Sequence, residues 1–108
     1  MSLSYTYVPD LSGQLVDISP DSIISRTFYT DEQVKAVLFG FAAGQELSEH
    51  TASSPAVIHI LKGEARLTLG ADVHEAAEGA WAHMPAHLPH SVLAKTPVVM
   101  LLLLLKST

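Results

Sequence analysis

The chain has 108 residues, 48% hydrophobic and 16% charged, with no cysteine and a formal net charge of −5. That balance fits one folded domain over residues 1–108 with a core of its own, and it excludes disulfides, thiolate metal sites and cysteine nucleophiles. Six Lys and Arg against 11 Asp and Glu, with no basic cluster, argue against nucleic-acid binding.

Residues 1–22 read as a lead-in rich in Ser, Pro and Asp. They lack the basic residue and apolar block of a secretory signal, so a cytoplasmic protein is the default expectation. Short apolar runs then alternate with turn residues at the spacing of all-β domains. The first strand is expected at 23–29, followed by the polar turn Thr30-Asp31-Glu32-Gln33 and a second strand at 34–41. Ala43-Gly44 breaks that run, and a third strand follows at 46–51.

The loop at 52–55 leads into a strand at 56–61, and Lys62-Gly63 turns the chain into 64–69. There Ala65, Leu67 and Leu69 alternate with Glu64, Arg66 and Thr68, the period-two pattern of a half-buried strand. Further strands are expected at 73–76, 80–84 and 91–95, with Pro85 and Pro89 stiffening the loop before the last of these. The final run, VVMLLLLL at 98–105, is far shorter than the roughly 20 residues of a spanning helix. It reads as a buried or interface strand, and no membrane segment is expected. About nine strands in so short a chain must close on themselves or pack as two sheets, because open edges invite aggregation. A jelly roll or small barrel is the expected outcome.

Two spaced patterns sharpen that expectation. In GQELSEHTASSPAVIHILKGE, Gly44 is followed after five residues by His50, and Gly63 lies thirteen positions further on. In GAWAHMPAHLPHSVLA, Gly79 is followed after five residues by Pro85, then His87 and His90. Together, over 44–94, these frames resemble the two motifs of the cupin superfamily. The chain is similar to a small single-domain, RmlC-like cupin, which implies an all-β double-stranded β-helix, the jelly-roll barrel. In the family, His-x-His and a Glu from the first motif and a His from the second point inward and bind a metal. Residues two apart on a strand share a face, which is why His-x-His can chelate.

This chain departs from the full pattern. Ala52 occupies the second His position, Ala56 the Glu position and Ala94 the final Asn position, while His87 replaces a turn glycine. His50 and His90 are the matched ligands. His59, in the middle of VIHIL, is the third candidate by resemblance to cupins with truncated motifs. Simple alternation from an inward Ala56 sends Ile58 and Ile60 inward and His59 outward, whereas a bulge reverses that parity. The alternative for His59 is an outward residue at a dimer contact. His83 meets the same difficulty of parity; it is a further candidate for the third ligand, with a structural or interface residue as the favoured alternative. His87, at the lip of the cup, is a candidate gate or weak ligand, and His74 reads as solvent-facing. Glu46 shares parity with His50 and is a candidate to orient its ring, and Glu49 faces the other way; the favoured alternative for both is a solvated surface charge.

The frame gives a mostly apolar lining of Ala52, Ala56, Ile58, Ile60 and Met84, with His87 at the rim. A small, partly hydrophobic ligand or substrate suits such a cup. The resemblance implies a divalent transition metal (Fe, Mn, Ni, Zn or Cu) and an activity of the dioxygenase or isomerase kind. A non-catalytic binding or sensory module without a tightly held metal is the alternative, and a metal-free general base has no adjacent carboxylate to orient it. Finally, 98–105 and 34–41 are apolar on both faces and need cover. A homodimer is therefore expected, with the lead-in at 1–22 suited to exchange between copies.

Overall fold

In the computed structural model, which describes residues 3–15 and 17–106, nine strands follow one another. They are β1 (Ile23–Thr30), β2 (Val34–Phe41), β3 (Glu46–His50), β4 (Ala56–Lys62), β5 (Ala65–Leu69), β6 (Asp72–Ala76), β7 (Trp81–Met84), β8 (His90–Ala94) and β9 (Val98–Leu105). Every paired neighbour is antiparallel, in a five-stranded sheet ordered β1-β2-β9-β4-β7 and a four-stranded sheet ordered β3-β8-β5-β6. The two sheets pack as an all-β jelly-roll barrel. No helix among the described residues is long and apolar enough to cross a membrane.

The barrel closes around one apolar cluster to which both sheets contribute. Phe41, Ile58, Ile60, Met84 and Met100 come from the larger sheet, and Ala65, Leu67, Val92 and Ala94 from the smaller. Each residue occupies the inward position of its strand, so period-two alternation is what selects the core. The small inward residues Ala65, Ala76 and Ala94 stand side by side across β6, β5 and β8, in register. They let the sheets approach at that end, while Phe41 and the Ile and Met side chains fill the rest.

Three irregularities interrupt the ladders: between Thr27 and Tyr29 on β1, between Leu47 and His50 on β3, and between Ile60 and Lys62 on β4. Bulges of this kind change which face the following residues present. The turn after β4 depends on Gly63, whose φ of +89° lies in the left-handed region. A Cβ there would come within 2.1 Å of the Pro97 carbonyl oxygen, so only glycine fits.

The lead-in crosses the outer face of the larger sheet, the side away from the core. Ile18 packs over Gly40 and next to Ile24, and Val8 and Leu11 bound a hollow of about 580 Å³ with Phe28, Ala36 and Leu103. A 3₁₀ turn at Ser12–Gln14, too short to leave a sequence signal, bends the segment. This packing buries Ala36 and Leu38 on the outer side of β2. On the solvent side of the smaller sheet, Glu75 pairs with both Arg66 (2.8 Å) and Lys95, tying β6 to β5 and to the end of β8.

Candidate ligand site at the His50–His90 pair

On β8, alternation puts His90 in the inward row with Val92 and Ala94, and it is only 7% exposed. On β3, Leu47 pairs with Val92 and packs against the core. Strict alternation from Leu47 would bring Glu49, not His50, to the inner face. The irregularity between Leu47 and His50 absorbs that extra residue and sets His50 directly opposite His90 in the ladder. The two rings meet with centroids 4.1 Å apart and planes tilted by 58°.

Each ring is oriented the same way. Nδ1 of His50 donates to the Ser48 carbonyl at 2.8 Å, and Nδ1 of His90 donates to the Leu88 carbonyl at 2.9 Å. A carbonyl oxygen only accepts, so in the neutral ring the proton sits on Nδ1 and the Nε2 lone pair stays free. Two imidazoles are thus held with unprotonated nitrogens available to a metal ion, or to a hydrogen-bond donor on a ligand. Main-chain carbonyls play the orienting part here. Glu46, whose parity with His50 suggested that role, instead pairs with Leu93 and so lies on the opposite face of β3 from Leu47; the same irregularity breaks the parity.

His59 is not brought to this pair. It lies between Ile58 and Ile60, which are 1% and 0% exposed in the core. The irregularity in β4 falls after Ile60, too late to reverse the parity of His59. It therefore stands on the outer face, opposite Leu101 on one side and Trp81 on the other. His83, opposite Val57, is on that outer face too. His87 is exposed with a φ of +69°, so it adopts the left-handed conformation that the motif glycine supplies elsewhere, and its N–H donates to the Ala52 carbonyl. Among the described residues, no group of three or more His, Asp or Glu side chains is placed to hold a metal.

The expected lining is redistributed as well. Ala56, Ile58, Ile60 and Met84 are packed into the closed core, with Met84 directly opposite Ala56 where the motif has its carboxylate. Their side chains occupy the volume a cup would need. Ala52, in the loop after β3, is half-buried. An open hollow of about 320 Å³ instead lies along the edges of β6 and β7, bordered by Leu67, Leu69, His74, Ala76, Ala82 and Trp81. Leu69 pairs with His90, so one end of this hollow adjoins the histidine pair. His74 pairs with Leu67 and shares its inward face. His74 is nonetheless exposed, as its polar strand suggested, because β6 is an edge strand.

A sequence profile described as a cupin domain matches residues 37–104, a span holding both histidines and eight of the nine strands in whole or part. Comparison with curated proteins finds no match. Among solved structures, a conserved protein of unknown function from Streptococcus pyogenes is similar at 32% identity and a TM-score of 0.83, over 98% of this chain and 92% of that one. A cupin superfamily protein from Desulfitobacterium hafniense is similar at 24% identity and a TM-score of 0.84, over 95% and 94% of the two chains. An RmlC-like cupin from Desulfovibrio desulfuricans gives 27% identity and a TM-score of 0.78, over 94% and 97%. With its motif glycines, paired histidines and jelly-roll topology in place, the chain belongs to the cupin domain family.

Proposed function

We propose that this protein binds a divalent transition metal through Nε2 of His50 and Nε2 of His90, and binds or acts on a small, partly apolar molecule beside it. The observation carrying this reading is the matched orientation of the two rings, each tied at Nδ1 to a backbone carbonyl. Two neutral nitrogen donors with no carboxylate suit borderline ions such as Cu, Zn, Ni and Fe better than hard oxygen-seeking ones, so Mn is the least favoured of the metals the family resemblance suggests. Such an ion would keep its other positions for water or ligand and would supply Lewis acidity or dioxygen chemistry. The hollow bordered by Leu67 and Leu69 takes the apolar part of the molecule, with His74 and Trp81 at its margin.

The lack of a third converging donor among the described residues favours a second reading, a non-catalytic ligand-binding module in the same frame. Metal analysis of untagged protein, followed by titration with Zn²⁺, Cu²⁺ and Ni²⁺, separates the two. Near one metal per chain, lost in both His50→Ala and His90→Ala, supports the metal site. Sub-stoichiometric metal in the parent protein, with titration unaltered in either variant, sinks it and leaves the binding module. The reading includes a homodimer, the association suggested by strands that are apolar on both faces.

A further inference from the structure

We propose that the hollow between the edges of β6 and β7 takes an uncharged molecule with a polar group at each end, and that His74 holds the end lying away from the histidine pair. The assignment deepens the ligand reading given above and rests on it. Strand register supplies the spacing. One inward row across the smaller sheet runs His50, His90, Leu69 and Asp72, and the next runs Val92, Leu67 and His74. His90 and His74 therefore share a face, two strands and two residues apart, with Leu67 and Leu69 between them. At about 4.8 Å per strand and about 3.3 Å per residue, their Cα atoms lie roughly 12 Å apart. With both rings standing off the sheet and a hydrogen bond at each end, roughly 6–8 Å remains between the ligand's polar atoms. That is the length of two fused rings carrying a substituent at either end.

The hollow holds about 320 Å³, and its border is apolar except at His74, Glu75 and Trp81. Alternation separates those three. Trp81 pairs with His59 and so belongs to the outer face of the larger sheet. Glu75 turns to the solvent side of the smaller sheet, where its carboxylate holds Arg66 at 2.8 Å and Lys95. His74 alone of the three shares the inner face with Leu67. Because β6 and β7 are each the edge of a sheet, the hollow opens sideways between them, and His74 is both inward-facing and exposed. An incoming molecule meets its imidazole first.

Charge defines the class of ligand. Among the described residues, no Lys or Arg borders the hollow, and Asp72 ends the row in which His90 stands. In a chain of net charge −5, an anion finds no counter-charge here and is repelled. A cation meets only Glu75 at the border, already paired to two bases. The two Leu side chains suit a ring system as the body of the molecule. A neutral imidazole accepts from a hydroxyl or donates to a carbonyl, so either group serves at the His74 end.

The test is calorimetric titration of the full untagged chain with 2,6-naphthalenediol, 2-naphthol and 2,6-naphthalenedicarboxylate. One diol per chain is expected, bound on the order of fivefold more tightly than the one-ended naphthol, with no binding of the dicarboxylate. That preference should vanish in both His74→Leu and His50→Ala, and His74→Gln, which keeps a donor and an acceptor, should restore most of it. The ratio of diol to naphthol is read within each variant, so a general loss of affinity does not mimic the effect. A preference kept in His74→Leu but lost in His50→Ala overturns this inference and leaves the ligand site at the histidine pair standing. A preference lost in His74→Leu but kept in His50→Ala removes the ligand from the pair, and the spanning molecule with it. Equal binding of diol and naphthol by the parent chain, tight binding of the dicarboxylate, or no binding of any of the three overturns the ligand class.

Discussion

Two residues of one type, facing each other across a ladder, have different standing in the fold. His90 is buried in the inward row of β8, whereas His50 is exposed at the end of β3. Replacing His90 by Ala leaves a void and strips the Leu88 carbonyl of its donor, so a loss of about 1–3 kcal/mol is expected. His50→Ala removes a bond that water can replace, and its cost should stay within about 1 kcal/mol. Urea denaturation of both variants checks this, alongside the metal titration in which both should fail alike. Gly63→Ala is expected to be harsher than either, at about 2 kcal/mol or more, because it adds left-handed strain to a clash with the Pro97 carbonyl. What the sequence offered at this scale was uneven. His50 and His90 were legible because motif spacing counts residues along the chain. The outward position of His59 was legible from alternation alone, and only the resemblance pulled it inward. The parity of Glu46 was misread because it depends on a bulge, a property of paired strands rather than of local sequence, whereas His74 is exposed as its polar strand suggested.

Among the elements, strand positions were the most readable feature, since each run of alternating or continuous apolar residues ends at Gly, Pro or an acidic turn. The turn between β1 and β2 has a further chemical signature. Asp31 accepts the backbone N–H groups of Gln33 and Val34 at 2.7 and 2.9 Å, and the Tyr29 hydroxyl at 2.6 Å. The Tyr29 hydroxyl foremost, and the two N–H groups after it, hold the Asp31 carboxyl below its ordinary 3.8. A carboxyl with a lowered folded pKa gives the unfolded chain the greater proton affinity. Its stabilisation is therefore complete above the ordinary value and is lost as pH falls through the lowered one. Asp31→Asn should lower the melting temperature at pH 7, and the gap from the parent protein should close below pH 3.8. A gap that persists unchanged at the acid end would refute the assignment. Lys95 first and Arg66 second depress Glu75 in the same direction, so Glu75→Gln should follow the same course.

For the whole molecule, the distribution of side chains between two sheets decides most of what can be said. The all-β class followed from composition and period; strand number left a jelly roll or a small barrel open, and the cupin resemblance chose the jelly roll. Sheet order did not follow, because it depends on which distant strands meet. In the centre of the larger sheet Ile60 has no exposure and packs among residues of both sheets. Ile60→Ala should cost about 2–5 kcal/mol, read from chemical denaturation, with the far-ultraviolet dichroism of the native state unchanged. The place of β9 carries a separate consequence. It is the last of the described strands, yet it lies between β2 and β4, pairing with Val34–Phe41 on one side and with most of β4 on the other. During synthesis the strands between 23 and 94 therefore wait with the central berth of the sheet vacant, and the barrel can assemble only once residues 98–105 have left the ribosome. A chain ending at residue 97 should emerge as an unfolded, chaperone-bound polypeptide rather than as a smaller barrel.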